Sequence, residues 1–437
     1  MNRIQSSRRK FLKHAATVIG TVGFPALVPA KALGMEGNPA PSNRVIVGCI
    51  GIGWQGVGNL KAFLKDPNVQ LVAVCDIDSD HLKEGKDLVD QKYSNTDCVA
   101  YRLPEELIAR TDIDAVVLSI PDHWHAIVSI AAIRAGKDVY GEKPLAHNWA
   151  EGQAICDAVS QCGVIWQTGS WQRSLNSFRF ACELVRNGRI GRVKRVEVGQ
   201  RWGNIDFAGT GDQQAVVTPP PTLDYDRWLG PAPYAPYCPA RVHKNWRWNY
   251  DYGGGSLMDW VGHHVDIAHW GLDLDRTGPV EVEAEGEFPK EGSVWNTATK
   301  YQVTARYANG ITMVIDGGRS DIRTGTKWIG EDGWIWIDRS GMEAEPKSLL
   351  RDKIRPNELH LPHSPGHQQQ FIECVKTRQQ TLTPCAVALR SATPGYLGQI
   401  AMLTGRKIRW DPERQEIIGD PEAQRMLFCS MRSPWHL

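Results

Sequence analysis

The sequence predicts two folded parts: an α/β domain on a parallel sheet, followed by an α/β domain on a mostly antiparallel, open-faced sheet. Between Arg44 and about Ile165, short apolar runs alternate with helix-like segments, which is typical of right-handed βαβ units. From Val280 onward, apolar and polar residues alternate with a period of two, which indicates half-exposed antiparallel strands. Asp332-Gly333 lies between two apolar runs and predicts a hairpin turn.

The first residues predict an export signal rather than a part of the fold. Arg8 and Arg9 lie in the run SRRKFLK, which matches a twin-arginine signal, and a modestly apolar stretch follows over residues 15–28. That stretch is too short and interrupted to predict a membrane span. Ala30-Lys31-Ala32 provides a small-residue cleavage site. We therefore expect a protein exported by the twin-arginine route, to the periplasm or beyond, with a signal peptide at 1–32 and a linker at 33–42.

The remaining chain divides near residue 166. We expect the first domain over residues 43–166 and the second over 167–437. A Pro- and Trp-rich excursion, 218–252, separates the two patterns. Two helical patterns near the end, 368–377 and 387–403, are expected to pack back on the first domain.

A glycine-rich turn follows the first apolar run. Gly51, Gly53 and Gly56 have the spacing G-x-G-x-x-G and precede an apolar-periodic segment. The first glycine allows the turn, the second lets the backbone approach a pyrophosphate, and the third lets helix and strand pack closely. Free N–H groups and the helix dipole would then hold the diphosphate. The pattern predicts a Rossmann dinucleotide-binding domain.

Asp76 ends the second strand-like run, twenty residues beyond Gly56. A carboxylate at this place accepts hydrogen bonds from the ribose hydroxyls and repels a 2′-phosphate, so NAD is predicted over NADP. Asp78 is the alternative residue for the same role.

Composition narrows the classes of partner. The chain has 50 basic and 49 acidic residues, so its charge gives no reason to expect a nucleic-acid partner. Its ten cysteines include no CxxC pair or Cys/His cluster, so no metal site is expected, while disulfide pairing stays open. Seventeen tryptophans suit the binding of sugar rings, but tryptophan is equally a core residue.

Three segments resemble the Gfo/Idh/MocA oxidoreductase family, named for glucose–fructose oxidoreductase and inositol dehydrogenase. They are GIGWQG at 51–56, PDHWHAIVSIAAIRAGKDVYGEKPL at 121–145 and GGGSLMDWVGHHVDIAHW at 253–270. A fourth segment, NWRWNYDYGGG at 245–255, resembles exported members. The resemblance implies a Rossmann domain followed by an α/β domain with a mostly antiparallel sheet. It also implies a homo-oligomer, either a dimer or a tetramer.

The resemblance places the family's EKP lysine on Lys143, near the nicotinamide and the reacting hydroxyl. Oxidation of a secondary alcohol removes a proton from oxygen while hydride leaves carbon, and a lysine can assist or stabilise the alkoxide. Asp259 and His263 are four residues apart in a stretch, 256–270, that predicts one helix, so they would share a face. In the family the matching pair lines the substrate pocket, and the histidine acts as acid and base. A metal pair or a structural contact is the alternative.

The fit to the family departs at one residue. Typical members have a glycine where Val261 stands, and the glycine here is displaced to Gly262. The aligned histidine is His263, and on a regular helix its neighbour His264 would point about 100° away.

The remaining candidate contacts rest on the same resemblance. The expected catalytic residues are Lys143, His263 and Asp259. The expected cofactor contacts are Gly51, Gly53, Trp54, Gln55, Gly56, Asp76, Pro121, His125, Glu142 and Lys143. The expected substrate contacts are Gln172, Arg173, Trp246, Trp248, Asp259 and His263. Core packing is the alternative for the tryptophans, and an ion pair for Arg173.

These residues predict an exported NAD-dependent oxidoreductase acting on a hydroxyl of a sugar, glycoside or polyol. Because the periplasm has no ready pool of NAD, we expect a tightly bound cofactor that is recycled on the enzyme. Two alternatives stay open. One is an NAD-dependent glycosidase or lyase that passes through a transient 3-keto sugar, with an epimerase following similar logic. The other is a sugar-binding protein without turnover.

Overall fold

Six parallel strands form the first sheet. In the computed structural model, which describes residues 39–437, they follow the order β3-β2-β1-β4-β5-β6. The strands are β1 Val45–Ile50, β2 Val69–Cys75, β3 Val99–Tyr101, β4 Ala115–Leu118, β5 Asp138–Gly141 and β6 Trp166–Thr168. Most of their residues are buried, because helices cover a parallel sheet on both faces.

Five helices connect these strands. They are α1 Trp54–Phe63, α2 Ser79–Tyr93, α3 Pro104–Ile108, α4 His125–Arg134 and α5 Trp149–Cys162. The side chains of Asp78 and Asn148 cap α2 and α5 by accepting hydrogen bonds from the backbone N–H groups of Asp80 and Glu151. The alternation of strand and helix confirms the predicted α/β class of this part.

Nine strands form the second sheet, in the order β13-β12-β11-β7-β10-β9-β8-β14-β15. Neighbouring strands are antiparallel except β7 and β10, which pair in parallel. The mostly antiparallel sheet is therefore confirmed, and Asp332-Gly333 lies in the turn between β11 and β12 as predicted. The strands are β7 Val193–Gly199, β8 Glu281–Glu287, β9 Lys300–Arg306, β10 Thr312–Gly317, β11 Gly325–Gly330, β12 Trp334–Ile337, β13 Met342–Glu345, β14 Ile408–Asp411 and β15 Glu416–Ile417.

The second half also carries helices that cover one face of this sheet and return to the first sheet. Phe371 and Ile372 of α10 join a core cluster with β1 and β2, and Leu389 of α11 packs against Gly152 of α5. The α-helices are α6 Asn176–Arg186, α7 Tyr225–Leu229, α8 Gly255–Trp260, α9 Asp266–Leu272, α10 His367–Thr377, α11 Cys385–Thr404 and α12 Pro421–Arg425. Short 3₁₀ turns span Pro41–Asn43, Asp122–Trp124, Trp171–Ser174, Pro239–Arg241, His243–Trp248 and Lys347–Arg351.

The stretch predicted as one helix over 256–270 is instead interrupted. A π-helical turn, Val261–Val265, separates α8 from α9. A π turn inserts residues into the helical repeat, so the spacing of side chains shifts at this point. A Cβ on Gly262 would lie 2.9 Å from the Cβ of Lys143, so the displaced glycine gives Lys143 room. The departure from the family at Val261 is therefore accommodated within the helix.

Some predictions fall on residues 1–38, outside the described part of the chain. These are the signal peptide at 1–32 and most of the linker. A search of residues 39–437 finds no helix that combines the length and apolarity needed to cross a membrane. All ten cysteines lie in this part, and each has a free thiol.

Candidate active site

A cleft opens where the strand order of the first sheet reverses, between β1 and β4. Ligands of such sheets bind at this place, beyond the carboxyl ends of the strands. The cleft has a volume of about 1330 Å³ including its open mouth. The residues predicted to bind a cofactor that line it are Gly51, Gly53, Trp54, Gln55, Asp76, Pro121, Glu142 and Lys143.

The glycine turn provides a cradle for a diphosphate. Gly51 has φ +86°, in the left-handed region that favours glycine. A Cβ on Gly56 would lie 2.0 Å from the carbonyl oxygen of Gly51, whereas a Cβ on Gly53 would meet no atom within 4 Å. No side chain caps the N-terminus of α1 and no acidic residue lies in its first turn, so its N–H groups face the cleft free. The residues present therefore fit a dinucleotide.

Asp76, the predicted ribose contact, lies beside this cradle and lines the cleft. Its carboxylate accepts hydrogen bonds from the N–H groups of Ile52, at 2.6 Å, and Asp78, at 2.9 Å. Burial raises the pKa of this carboxyl, and the two N–H donors oppose that rise. Asp76 thus ties the glycine turn to the end of β2 and places its carboxyl group in the cleft.

The far wall of the cleft comes from the Pro- and Trp-rich excursion, to which sequence reasoning gave no cofactor role. Lys244 lies over the Trp54 ring, with its Nζ 5.4 Å from the ring centroid, and Trp246 also lines the cleft. The other lining residues from the excursion are Leu223, Arg227, Trp228, His243 and Arg247. These residues are far in sequence from the glycine turn, so no motif in the sequence predicts this wall of the cleft.

One set of potential metal ligands lies at the same end, although none was expected from the sequence. Donor atoms of Asp78, His81 and His243 all lie within 4.8 Å of one another. Asp78 also caps α2, so its carboxylate already has a structural role. Asp78 and His81 lie three residues apart at the start of α2, whereas His243 comes from the excursion, so the sequence does not show that the three meet.

Lys143 stands at the other end of the cleft, in a network of fixed polar contacts. Its Nζ donates to the Oδ1 and to the backbone carbonyl of Asp259, at 2.8 Å each. Arg247 donates from Nε to the same Oδ1 at 3.1 Å. The preceding Glu142 accepts hydrogen bonds from the side chains of Gln55 and Asn59, which anchors the EKP segment to α1.

The charges around Asp259 and His263 set their protonation. Burial alone would raise the pKa of Asp259, but Lys143 and Arg247 outweigh it and hold that pKa below its usual value. Burial, followed by Lys143 and Arg339, lowers the pKa of His263 well below the ordinary value. His263 is therefore a neutral imidazole beside a lysine and an aspartate. Its Nδ1 is buried, and no residue in 39–437 bonds to it.

The tryptophans and the second histidine frame His263. Ring centroids of Trp260 and Trp171 lie 5.5 and 6.3 Å from that of His263. His264 stacks on the ring of Trp260, and its Nδ1 lies 3.4 Å from Nε2 of Gln172. The two adjacent histidines thus have different surroundings.

Arg339 was not predicted as a site residue, but it lies beside the same tryptophans. Its Nε donates to Oε1 of Gln172 at 3.0 Å, and its guanidinium lies 4.5 and 5.0 Å from the ring centroids of Trp171 and Trp260. Arg339 stands in the turn between β12 and β13, far from any motif in sequence. Gln172, a predicted substrate contact, is fully buried and orients Arg339 and His264.

Three of the predicted site residues, His125, Arg173 and Trp248, are held by contacts within the protein and do not line the cleft. The ring nitrogens of His125 lie 2.8 and 2.9 Å from the carbonyl oxygens of Pro144 and Ile120, so this histidine ties the EKP segment to β4. Arg173 is 1% exposed and pairs with Asp266 and Asp275, so it is a structural cation. Trp248 is also 1% exposed and packs on Phe207 in the core. The predicted contacts of these three residues with cofactor and substrate stay predictions.

Two family models match separate parts of the chain. Residues 45–170 match "Oxidoreductase family, NAD-binding Rossmann fold", and residues 178–437 match "Oxidoreductase family, C-terminal alpha/beta domain", both of the Gfo/Idh/MocA group. A myo-inositol 2-dehydrogenase from Thermotoga maritima is 28% identical over 281 residues, 62% of this chain and 68% of that protein.

Two further similarities are informative. An alpha-N-acetylgalactosaminidase from Shewanella oneidensis is 31% identical over 173 residues, but these cover only 35% of this chain and 37% of the relative. A scyllo-inositol dehydrogenase from Lactobacillus casei, solved with NAD(H) and scyllo-inositol, superposes with a TM-score of 0.60 at 15% identity, over 84% of this chain and 99% of that one. This structural likeness shows a shared fold. The chain belongs to the Gfo/Idh/MocA oxidoreductase family and is an NAD-binding oxidoreductase.

Proposed function

We propose that this protein is an exported dehydrogenase that oxidises a secondary hydroxyl of a sugar or polyol and retains its NAD between turnovers. The observation that carries the proposal is the junction of two parts of the chain. Lys143 lines the dinucleotide cleft and also donates to Asp259, so the cofactor end meets the segment that carries His263. An inositol dehydrogenase among the relatives supports a polyhydroxylated substrate.

The proposed roles follow from charge and contact. NAD, when bound, supplies the acceptor for the hydride of the carbinol carbon. His263 is held neutral, so it can take the proton of the substrate hydroxyl, and Nε2 is the nitrogen left for this because Nδ1 is buried. Lys143 donates to the oxygen as negative charge develops there. Asp259 accepts from Lys143 and Arg247 and orients both cations.

Retention of the cofactor has its own support. The excursion lines the cleft opposite the glycine turn and brings Lys244 over Trp54. A dinucleotide held between these two walls would leave slowly, as an enzyme outside the cytoplasm requires. Mass spectrometry of the ligand released from natively purified protein tests this directly. NAD or NADH in the extract is the expected result, and purified protein free of dinucleotide would contradict retention.

The catalytic assignment is tested with sugars and with two adjacent histidines. Purified protein without added NAD should develop the near-ultraviolet band of reduced nicotinamide when its sugar or polyol is added. His263→Ala should lower the rate by about 100-fold, the scale of a lost general base, while cofactor content is unchanged. His264→Ala is the matched control. It should lower the thermal unfolding temperature with little change in turnover. Equal turnover in His263→Ala and wild type would show that His263 is not the general base.

A redox-neutral glycosidase is the second candidate, favoured by the similarity to the galactosaminidase. Such an enzyme would release nitrophenol from an aryl glycoside without net formation of NADH. The similarity spans little more than a third of that relative, so we rank the dehydrogenase first. Nitrophenol release that depends on Lys143 and leaves the NADH band flat would reverse the ranking.

Export remains a proposal that rests on the sequence Ser7-Arg8-Arg9-Lys10. We propose twin-arginine transport to the periplasm, because that route carries folded proteins with their cofactors. Arg8→Lys with Arg9→Lys should leave the protein in the cytoplasm at its precursor mass, as measured by fractionation. Normal export of this double variant would contradict the route. The expected dimer or tetramer is a separate prediction that sedimentation would test.

A further inference from the structure

Two arginines next to the candidate base have no anionic partner. The guanidinium carbons of Arg201 and Arg339 lie 5.1 and 5.0 Å from the centroid of Trp260, whose ring is 5.5 Å from that of His263. Within residues 39–437, no carboxylate oxygen comes within 4.0 Å of either guanidinium. The two cations therefore make no ion pair at contact distance, while Asp259 and Asp338 act on Arg339 from further away.

The arginines near them in the fold are neutralised. Arg173 makes paired contacts to Asp266 and Asp275, and Arg247 donates to Asp259. The mutual repulsion of Arg201 and Arg339 costs free energy, and burial and Arg201 together lower the pKa of Arg339. An anion placed between two such guanidiniums relieves this repulsion and gains charge-assisted hydrogen bonds.

The guanidinium of Arg339 is held in place by contacts within the protein. Arg339 is stacked near Trp171 and Trp260, and its Nε is bound by Gln172. Only Nε is used in that hydrogen bond, so the terminal nitrogens of Arg339 keep their donors. The planar fork of an arginine matches a carboxylate, which accepts two parallel hydrogen bonds.

The pair stands close to the proposed chemistry. Arg339 and Lys143 both lower the pKa of His263, which puts the arginine within electrostatic reach of the base. Arg339 and the ring of His263 both lie near Trp260, so a sugar whose hydroxyl meets Lys143 and His263 would bring an acidic group on the same molecule towards the two arginines. We propose that the substrate is a sugar acid, a uronate or aldonate, whose carboxylate binds Arg201 and Arg339. This inference rests on the proposed dehydrogenase function.

The test compares neutral sugars with their acids. Formation of reduced nicotinamide is measured with D-glucose against D-glucuronate and D-gluconate, and with D-galactose against D-galacturonate. The acids should be preferred, and Arg339→Gln and Arg201→Gln should each lower kcat/KM for the preferred acid by about 10- to 100-fold, mainly through KM. The kcat/KM for the neutral sugars should fall by less than that for the acid, and the difference should shrink as added salt screens the contact. Arg414→Gln, an exposed arginine outside the site, is the control.

The outcomes separate this inference from the function on which it rests. Oxidation of neutral sugars as efficiently as their acids, with both arginine variants unchanged, overturns the sugar acid and leaves the dehydrogenase standing. A sugar phosphate preferred over every carboxylate likewise overturns the assignment. If none of these acids reduces the bound cofactor in wild type, this inference fails, and the proposed function is decided separately by its own sugar and polyol test. Thermal unfolding of each variant shows that a loss of activity is not a loss of fold.

Discussion

The two ends of the cleft are built by different means. At the nucleotide end, one turn from Gly51 to Gly56 supplies the cradle, and its shape depends on backbone conformation and the absence of Cβ atoms. At the substrate end, Lys143 meets Asp259 across 116 residues of sequence, and Arg339 comes from a third segment. The nucleotide end is therefore shaped by steric fit, and the substrate end is organised by charge. Substitutions at the two ends should fail in different ways.

Lys143→Ala gives the largest expected effect and tests the electrostatic end. Turnover should fall by up to about 10⁴-fold, because the variant loses the donor to the developing oxyanion. The glycine cradle is untouched, so the cofactor content of purified protein should stay the same. Lys61→Ala, on the exposed last turn of α1, is the control and should change neither quantity. Loss of the cofactor together with the activity would show that Lys143 serves the nucleotide end instead.

Arg173→Met tests whether the buried ion pairs of Arg173 stabilise the substrate end of the cleft. Removal of this buried cation leaves Asp266 and Asp275 without their partner, at a cost of about 3–5 kcal/mol in free energy of unfolding. Asp266 opens α9, directly after the π turn that carries His263. Denaturant unfolding measures the loss, and Arg406→Met, an exposed pair, should cost less than about 1 kcal/mol. Unchanged stability with a raised KM would restore Arg173 as a substrate contact.

Gly56→Ala tests the steric end. The new Cβ would lie 2.0 Å from the Gly51 carbonyl oxygen, so the turn must shift, at a cost of about 1–3 kcal/mol. Cofactor content should fall with stability, because the cradle moves away from the diphosphate. Gly58→Ala on the same helix meets no atom within 4 Å and should leave binding unchanged. Equal cofactor content in both variants would show that the third glycine is dispensable for the cradle.

The same contrast explains what could be predicted from the sequence. The glycine turn, β1 and β2 follow from local patterns, because spacing along one segment fixes their geometry. Lys143 and His263 were found through a family resemblance, which carries contacts that spacing cannot show. Arg173 was predicted to contact the substrate because its ion-pair partners, Asp266 and Asp275, are about a hundred residues away in sequence. The sequence does not show that they meet Arg173. The π turn was not predicted for a related reason. The apolar pattern of a helix has a period near 3.6 residues, and it does not reveal one inserted residue.

The smallest expected effect concerns the choice of dinucleotide at the ribose end. Asp76→Asn removes a negative charge that repels a 2′-phosphate, so the preference for NAD over NADP should fall by about tenfold. Asp78→Asn is the matched control, since Asp78 caps α2 and is the alternative ribose contact. We expect it to lower stability by at most about 1 kcal/mol and to leave the preference unchanged.

Titration of each variant, freed of its own nucleotide, with NAD and NADP measures the ratio of the two dissociation constants. A change in this ratio in Asp78→Asn, with none in Asp76→Asn, would move the ribose contact from one aspartate to the other. A change in both would mean that the two carboxylates act as one anionic wall. Their contact through the Asp78 N–H and the Asp76 carboxylate makes that third result physically distinct, because either substitution would then loosen the other residue. The ribose end would in that case depend on charge as the substrate end does.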